Sequence, residues 1–219
     1  MRYFGYEYLT QPLPRWKELA SKRAEALRMP EPATPCAVMH IRRSDTLLNR
    51  GWGGTGPPVY RNVSLAEYLD HAREYLEARS VEHIILMTDD VVAVEETKGF
   101  TEFQWHWLDR KRFEGSEGGW ENHFPSGSRE TEVVDILALT MATRQCNILV
   151  ASRSSFASMH HDGMKVYQKD PWYVYVETRN GISTDRGALK YAVNHGKRNP
   201  GHGKWPIHVT APPDTTRPA

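Results

Sequence analysis

Residues 40–45 read HIRRSD and close the apolar run Cys36-Ala37-Val38-Met39-His40-Ile41. An apolar run that ends in two adjacent arginines predicts a buried strand. Such a strand delivers guanidinium groups to the carboxyl edge of a sheet, where open α/β sheets bind their ligands. Neighbouring residues on an extended segment point to opposite sides, so one arginine can face a ligand while the other anchors the loop. His40 and Arg42, two positions apart, share a face. A planar guanidinium fork matches a phosphate, which makes either arginine a candidate for anion chemistry. The competing reading of the pair is a surface strand end with two solvated arginines.

Two further groups fall on the same predicted edge. Ser152-Arg153-Ser154-Ser155 follows the apolar stretch Asn147–Ala151 and precedes a short helix. Hydroxyls and free amides at a helix N-terminus suit a phosphate, and Ser is equally a preferred helix cap, so both readings stand. Asp135 lies in the apolar stretch VVDILAL, where a carboxylate needs donors. The N1–H and N2–H groups of a guanine offer such a pair, and a salt bridge to a neighbouring Arg or Lys is the alternative. The second apolar run, His83–Met87, ends in Thr88-Asp89-Asp90.

The elements that must position these groups alternate along the chain. Residues 14–29 have helical spacing of Trp16, Leu19, Ala20, Ala24 and Leu27 behind a proline. The strand 36–41 follows a Pro-rich linker, 30–35. The stretch 46–63, with Gly51, Gly53, Gly54, Gly56, Pro57 and Pro58, predicts a long loop. Ser64-Leu65-Ala66-Glu67 is a capping box that opens a helix over 65–79. Strands are expected at 83–87, 103–108, 147–151 and 172–177, and helices at 130–144 and, after the Ser152–Phe156 turn, to about Asp162, before Gly163. The stretch 109–131 reads as a loop, and the composition from about Asn194 onward predicts disorder. Strands alternating with helices indicate a Rossmann-like, doubly wound α/β fold with a mostly parallel sheet. The expected organisation is an N-terminal arm and helix (1–35), the Rossmann-like domain (36–178) and an irregular tail (179–219).

Composition narrows the function. With 28 basic and 27 acidic residues among 219, the net charge of +1 provides no polyanion-binding field. Nucleic acid is therefore not an expected partner. No apolar stretch reaches the roughly 20 residues that span a bilayer, so no membrane contact is expected of this chain and it should be soluble as given. Two cysteines are too few for a disulfide framework or a cysteine zinc cluster. In strand order 3-2-1-4 the first and fourth strands are neighbours, which puts Cys36 and Cys146 together at the edge opposite the ligand. Two separate thiols are favoured there over a bond. His160-His161-Asp162, pooled with Asp89 and Asp90, would make a metal site, but adjacent helical histidines diverge by about 100° and no metal is expected. No phosphate-binding loop of kinase type occurs, and Gly53-Gly54-Thr55-Gly56 lacks the strand–turn–helix setting of a dinucleotide fingerprint. Trp105, Trp107, Trp172, Tyr173 and Tyr175 alternate on strands, which fits core packing better than sugar stacking.

HIRRSD with a glycine-containing loop, TDD at a strand end and an S-x-S-S turn after an apolar strand resembles the nucleotide-binding half of GDP-fucose-dependent fucosyltransferases. The similarity is greatest to the core α1,6-fucosyltransferase of N-glycans and its rhizobial Nod-factor relatives, with the protein O-fucosyltransferases more distant. It covers roughly residues 14 to 165. The resemblance implies one half of a GT-B enzyme performing inverting, metal-independent fucosyl transfer without a cofactor, with GDP-fucose as donor and a glycan or glycoprotein as acceptor. By matching positions, it implies that His40 and Asp135 contact guanine, that Arg42 binds the β-phosphate as the catalytic residue, and that Arg43 and Asp45 hold the motif loop. Ser154 and Ser155 would close on the diphosphate, and Asp89 and Asp90 would support the loop edge. It also implies a secretory lumen, and Asn62-Val63-Ser64 is a glycosylation sequon.

The sequence departs from that pattern. The family's loop Lys and its base-like Glu correspond to Thr46 and Arg50, and the stretch 46–63 contains no carboxylate. Asp45, Asp89, Asp90 and the 114–132 loop are the remaining sources of a general base. Asp135 lies about one helical turn further from the S-x-S-S turn than in the family. The acceptor-side half is largely missing from this chain, which keeps a non-catalytic GDP-sugar-binding module as the alternative.

Overall fold

The computed structural model describes residues 12–29, 34–43, 45–48, 58, 60–114, 128–152 and 154–178. The glycines of the 46–63 loop, Ser44, Arg50, Arg153, most of the 114–132 loop and the tail beyond Thr178 lie outside the described residues. Helices α1 (Pro14–Glu25), α2 (Leu65–Ala78), α3 (Val91–Glu96), α4 (Arg129–Thr143) and α5 (Ser155–Tyr167) surround five strands. These are β1 (Cys36–Ile41), β2 (His83–Thr88), β3 (Gln104–His106), β4 (Ile148–Ala151) and β5 (Trp172–Tyr175).

The sheet is wholly parallel, in the order β3-β2-β1-β4-β5. The fold is thus α/β and Rossmann-like, and β1 and β4 are neighbours as in the doubly wound order 3-2-1-4. Being covered on both faces, β1 is buried along its whole length. Its side chains divide by parity. Ala37, Met39 and Ile41 join α2 and Ala93 of α3 in one core, with Tyr68, Leu69 and Leu76 among the larger members. Cys36 and Val38 face the other core, built from Leu27, Ala138, Leu139, Ala142, Ala157 and Met164.

Cys36 and Cys146 are joined in a disulfide, with Cα atoms 4.7 Å apart. The neighbourhood follows from strand order. The bond, which the sequence disfavoured against two thiols, forms because the Asn147 amide donates to the Cys36 carbonyl at 3.2 Å and so brings the two strand starts side by side.

Local signals explain most boundaries. Pro14 opens α1 without a side-chain cap, and Ser64 caps α2 by accepting the Glu67 amide at 3.2 Å. Glu67 does not complete the box, because its carboxylate is held by the Arg61 guanidinium. Helix α3 was not foreseen. Its VVAVEE sequence has weak helical propensity, and it forms because Asp90 caps it by accepting the Val92 amide at 3.1 Å while Ala93 packs into the core. Helix α5 runs past the expected stop at Gly163, which is buried inside it. Strand β3 is shorter than the 103–108 stretch because its ladder with β2 ends at the pair Ile85–His106.

Candidate active site

Beyond β3 the chain leaves the sheet and crosses its carboxyl edge. The Phe113 amide donates to the Asp89 carbonyl at 3.1 Å and the Val91 amide to the Phe113 carbonyl at 2.9 Å, which fixes residues 110–113 over the ends of β1 and β2. Between this segment, α4 and the start of α5 lies a cavity of about 370 Å³. Small-molecule sites typically occupy 300–1,000 Å³ at such a sheet edge. His40, Arg42, Asp89, Arg110, Lys111, Arg112, Glu132 and Phe156 line it, together with apolar side chains such as Met87, Ile136 and Leu139.

The two arginines of the motif separate as strand parity requires. Arg42 is exposed and lines the cavity. Arg43 is buried on the opposite side, 3% exposed. It donates from Nε to the Val63 carbonyl at 3.0 Å, from Nη1 to Asp90 at 3.0 Å and from Nη2 to Glu96 at 2.7 Å. Burial disfavours the Arg43 cation, yet the Glu96 and Asp90 carboxylates outweigh that and hold its pKa above the ordinary guanidinium value. Arg43 therefore stitches the motif to α3 and to the start of α2, where the Leu65 amide also donates to Glu96 at 2.7 Å.

Asp89 and Asp90 have different tasks. Asp90, 3% exposed, is occupied by Arg43 and by the α3 cap. Asp89 lines the cavity, and its Oδ1 accepts the Arg43 backbone amide at 3.2 Å. Asp45 begins a short 3-10 turn, Asp45–Leu48, in which the Leu47 amide donates to the Arg43 carbonyl. Its side chain lies outside the description.

His40 is 7% exposed, packs at 5.4 Å against Phe156, and has no hydrogen-bond partner for Nδ1. Burial, with the Arg42 charge second, pulls its pKa down to about 4, so the ring is neutral near pH 7. Behind Phe156, His160 bonds through Nδ1 to the Thr143 hydroxyl at 3.1 Å. Burial and the neighbouring His40 lower its pKa to about 3. His161 points elsewhere, with Nε2 3.0 Å from the Pro171 carbonyl. The adjacent histidines thus serve separate packing environments.

Asp135 is not a lining residue. It is fully buried, accepts Arg23 Nε of α1 at 2.6 Å and lies 3.6 Å from Arg110 Nη1. The structure thus puts it in the ion pair that the sequence held as the alternative to guanine recognition. The carboxylate of α4 that does line the cavity is Glu132, one turn earlier and paired with Arg110. Ser154 accepts the Ala157 amide at 3.0 Å and so acts as the N-cap of α5, while Ser155 is exposed on its first turn. The lining residue from this turn is Phe156.

Sequence reasoning missed Arg110, Lys111, Arg112 and Glu132. The run RKR at 110–112 was visible, but a loop assignment hid that the segment returns to the sheet edge. The lining side is consequently rich in cations, with Arg42, Arg110, Lys111 and Arg112 facing Asp89 and Glu132.

No family model and no curated protein matches the sequence. Among solved structures, POFUT1 in complex with GDP-fucose superposes with a TM-score of 0.41 at 13% identity, covering 76% of this chain and 47% of that one. POFUT1 in complex with GDP gives 0.38 at 12% identity, covering 74% and 46%. The chain spans about half the length of these solved chains.

Proposed function

We propose that this chain is the donor-binding half of a GT-B fucosyltransferase that takes fucose from GDP-fucose and transfers it, with inversion, to a hydroxyl of a glycan or glycoprotein. The observation that carries this reading is the cavity at the sheet's carboxyl edge, in which Arg42 and three further cations stand beside neutral, aromatic-packed His40. A nucleoside diphosphate fits that combination, since the rings and apolar walls suit a base and the guanidinium groups suit the diphosphate. The choice of guanine and fucose rests on the resemblance of HIRRSD, TDD and the S-x-S-S turn to the fucosyltransferases.

Breaking the bond between fucose C1 and the diphosphate oxygen leaves growing negative charge on GDP. A fixed guanidinium at that phosphate favours the transition state over the ground state, which is the role given to Arg42. The acceptor hydroxyl loses its proton to a carboxylate. Asp90 is ill suited because Arg43 and the α3 cap hold it, whereas Asp89 lines the cavity. Domains 1–35, 36–178 and 179–219 and the secretory lumen belong to the same reading, and the Cys36–Cys146 bond is chemistry that persists in an oxidising compartment.

One observation favours the alternative of a GDP-sugar-binding module: Arg50 stands where the family has its base-like Glu. Calorimetry with GDP, ADP and UDP, followed by measurement of GDP release from GDP-fucose with and without acceptors, separates the readings. Selective GDP binding with acceptor-dependent release supports the transferase. Binding without release supports the module, and equal binding of all three nucleotides overturns the guanine assignment.

A further inference from the structure

Arg43, Arg61 and Arg110 each meet a carboxylate at ion-pair distance. Arg112 does not, among the described residues. Its Nη1 donates to the Arg110 carbonyl at 3.1 Å and its Nη2 to the Leu108 carbonyl at 2.8 Å, while Nε is buried without a partner. Main-chain carbonyls orient a guanidinium but do not neutralise it. Burial, with the adjacent Arg110 charge second, pulls the Arg112 pKa down to about 10. The side chain is therefore a half-buried cation, fixed in direction, lining the same cavity as Arg42. Its segment is pinned by the Phe113–Asp89 and Val91–Phe113 hydrogen bonds, so the position does not depend on the ligand.

From this geometry we infer that Arg112 is a second anion-binding residue of the cavity, which grips the diphosphate of the bound nucleotide from the crossing segment while Arg42 approaches from β1. The inference rests on the nucleotide-diphosphate reading of the cavity but not on the identity of the base. Asp109 and Asp135 act on Arg112 only from beyond ion-pair distance among the described residues, so an anion in the cavity supplies the close counter-charge that its guanidinium lacks. Arg110 differs because Glu132 and Asp135 already balance it.

The test uses the full chain with GDP, ADP, guanosine and inorganic pyrophosphate as calorimetric probes, for wild type, Arg112→Gln and Arg112→Lys. Arg112→Gln should weaken GDP and pyrophosphate by about tenfold to a hundredfold, the loss of one charge-assisted contact. Arg112→Lys should fall between wild type and Arg112→Gln, since it keeps the charge and loses the fork. Guanosine affinity should be unchanged in both variants, a split that a general loss of structure does not produce. If Arg112→Gln fails to fold, the comparison of Arg112→Lys with wild type decides. Unchanged GDP and pyrophosphate affinity in a folded variant overturns the inference while leaving the proposed function standing. Equal Arg112-dependent binding of GDP, ADP and pyrophosphate sustains the inference and removes the guanine reading. Wild type that binds neither GDP nor pyrophosphate overturns both.

Discussion

Replacing Arg43 with methionine tests whether the second arginine of the motif is structural. The substitution keeps an unbranched side chain of similar length and removes the cation from a site that is 3% exposed. Nε loses the Val63 carbonyl, and the Asp90 and Glu96 carboxylates lose the charge between them. Glu96 keeps the Leu65 amide and Asp90 keeps the Val92 amide, so neither carboxylate is wholly abandoned. Removing one partner of a buried ion pair costs about 3–5 kcal/mol, and the retained amides argue for the lower half of that range. For a chain of this length that corresponds to a fall of roughly 6–16 °C in Tm. The assay is urea unfolding at pH 7 followed by fluorescence, comparing midpoints at constant slope. A double-mutant cycle with Glu96→Gln should return a coupling of about 1–3 kcal/mol. Lys22→Met, which removes an exposed pair with Glu18, should leave the midpoint essentially unmoved. A loss below about 1 kcal/mol for Arg43→Met, or no coupling to Glu96, would refute the assignment of Arg43 as the anchor.

Arg42→Lys should leave Tm nearly unchanged and abolish transfer or sharply weaken GDP, as read by thermal melts beside calorimetry; a large Tm loss with intact GDP binding would mean the faces are reversed. Asp135→Asn should destabilise the chain by about 2–4 kcal/mol through Arg23 and Arg110, with GDP affinity reduced only modestly, and a GDP-specific loss at unchanged Tm would restore its role at the base. Thiol titration of the denatured, unreduced protein should find no free cysteine, and reduction of the Cys36–Cys146 bond should lower stability by about 2–4 kcal/mol in chemical denaturation. His40 and His160 have folded pKa values of about 4 and about 3, below the ordinary value of 6.5. The unfolded chain therefore takes up protons first as pH falls, so stability is steady above about 6.5, declines below it, and has lost on the order of 3 kcal/mol from His40 alone once both states are protonated. His160→Leu should shift the acid-unfolding midpoint to lower pH, and an unmoved midpoint would count against the buried neutral ring.

The sequence by itself determined the α/β class and the opposition of Arg42 and Arg43. Each of these depends only on local periodicity: a run of apolar residues long enough for a strand, helices between runs, and a two-residue repeat that sends neighbours to opposite faces. That Cys36 and Cys146 meet follows from the strand order, which the packed sheet decides. What lies in the cavity was decided by tertiary structure, because it depends on where a non-repetitive segment returns. Residues 110–113 are brought to the sheet edge by two backbone hydrogen bonds with residues 89 and 91, and no pattern in RKRF announces that pairing. The same holds for Asp135, whose place on an apolar helix was legible but whose partner, Arg23, lies 112 residues away on α1. Glu67 repeats the lesson at α2, where the capping box was written in the sequence and a nearby guanidinium took its carboxylate instead. Periodicity fixes the face a residue shows. Which charge meets it there depends on how distant segments pack, since an ion pair between such segments has no sequence spacing of its own.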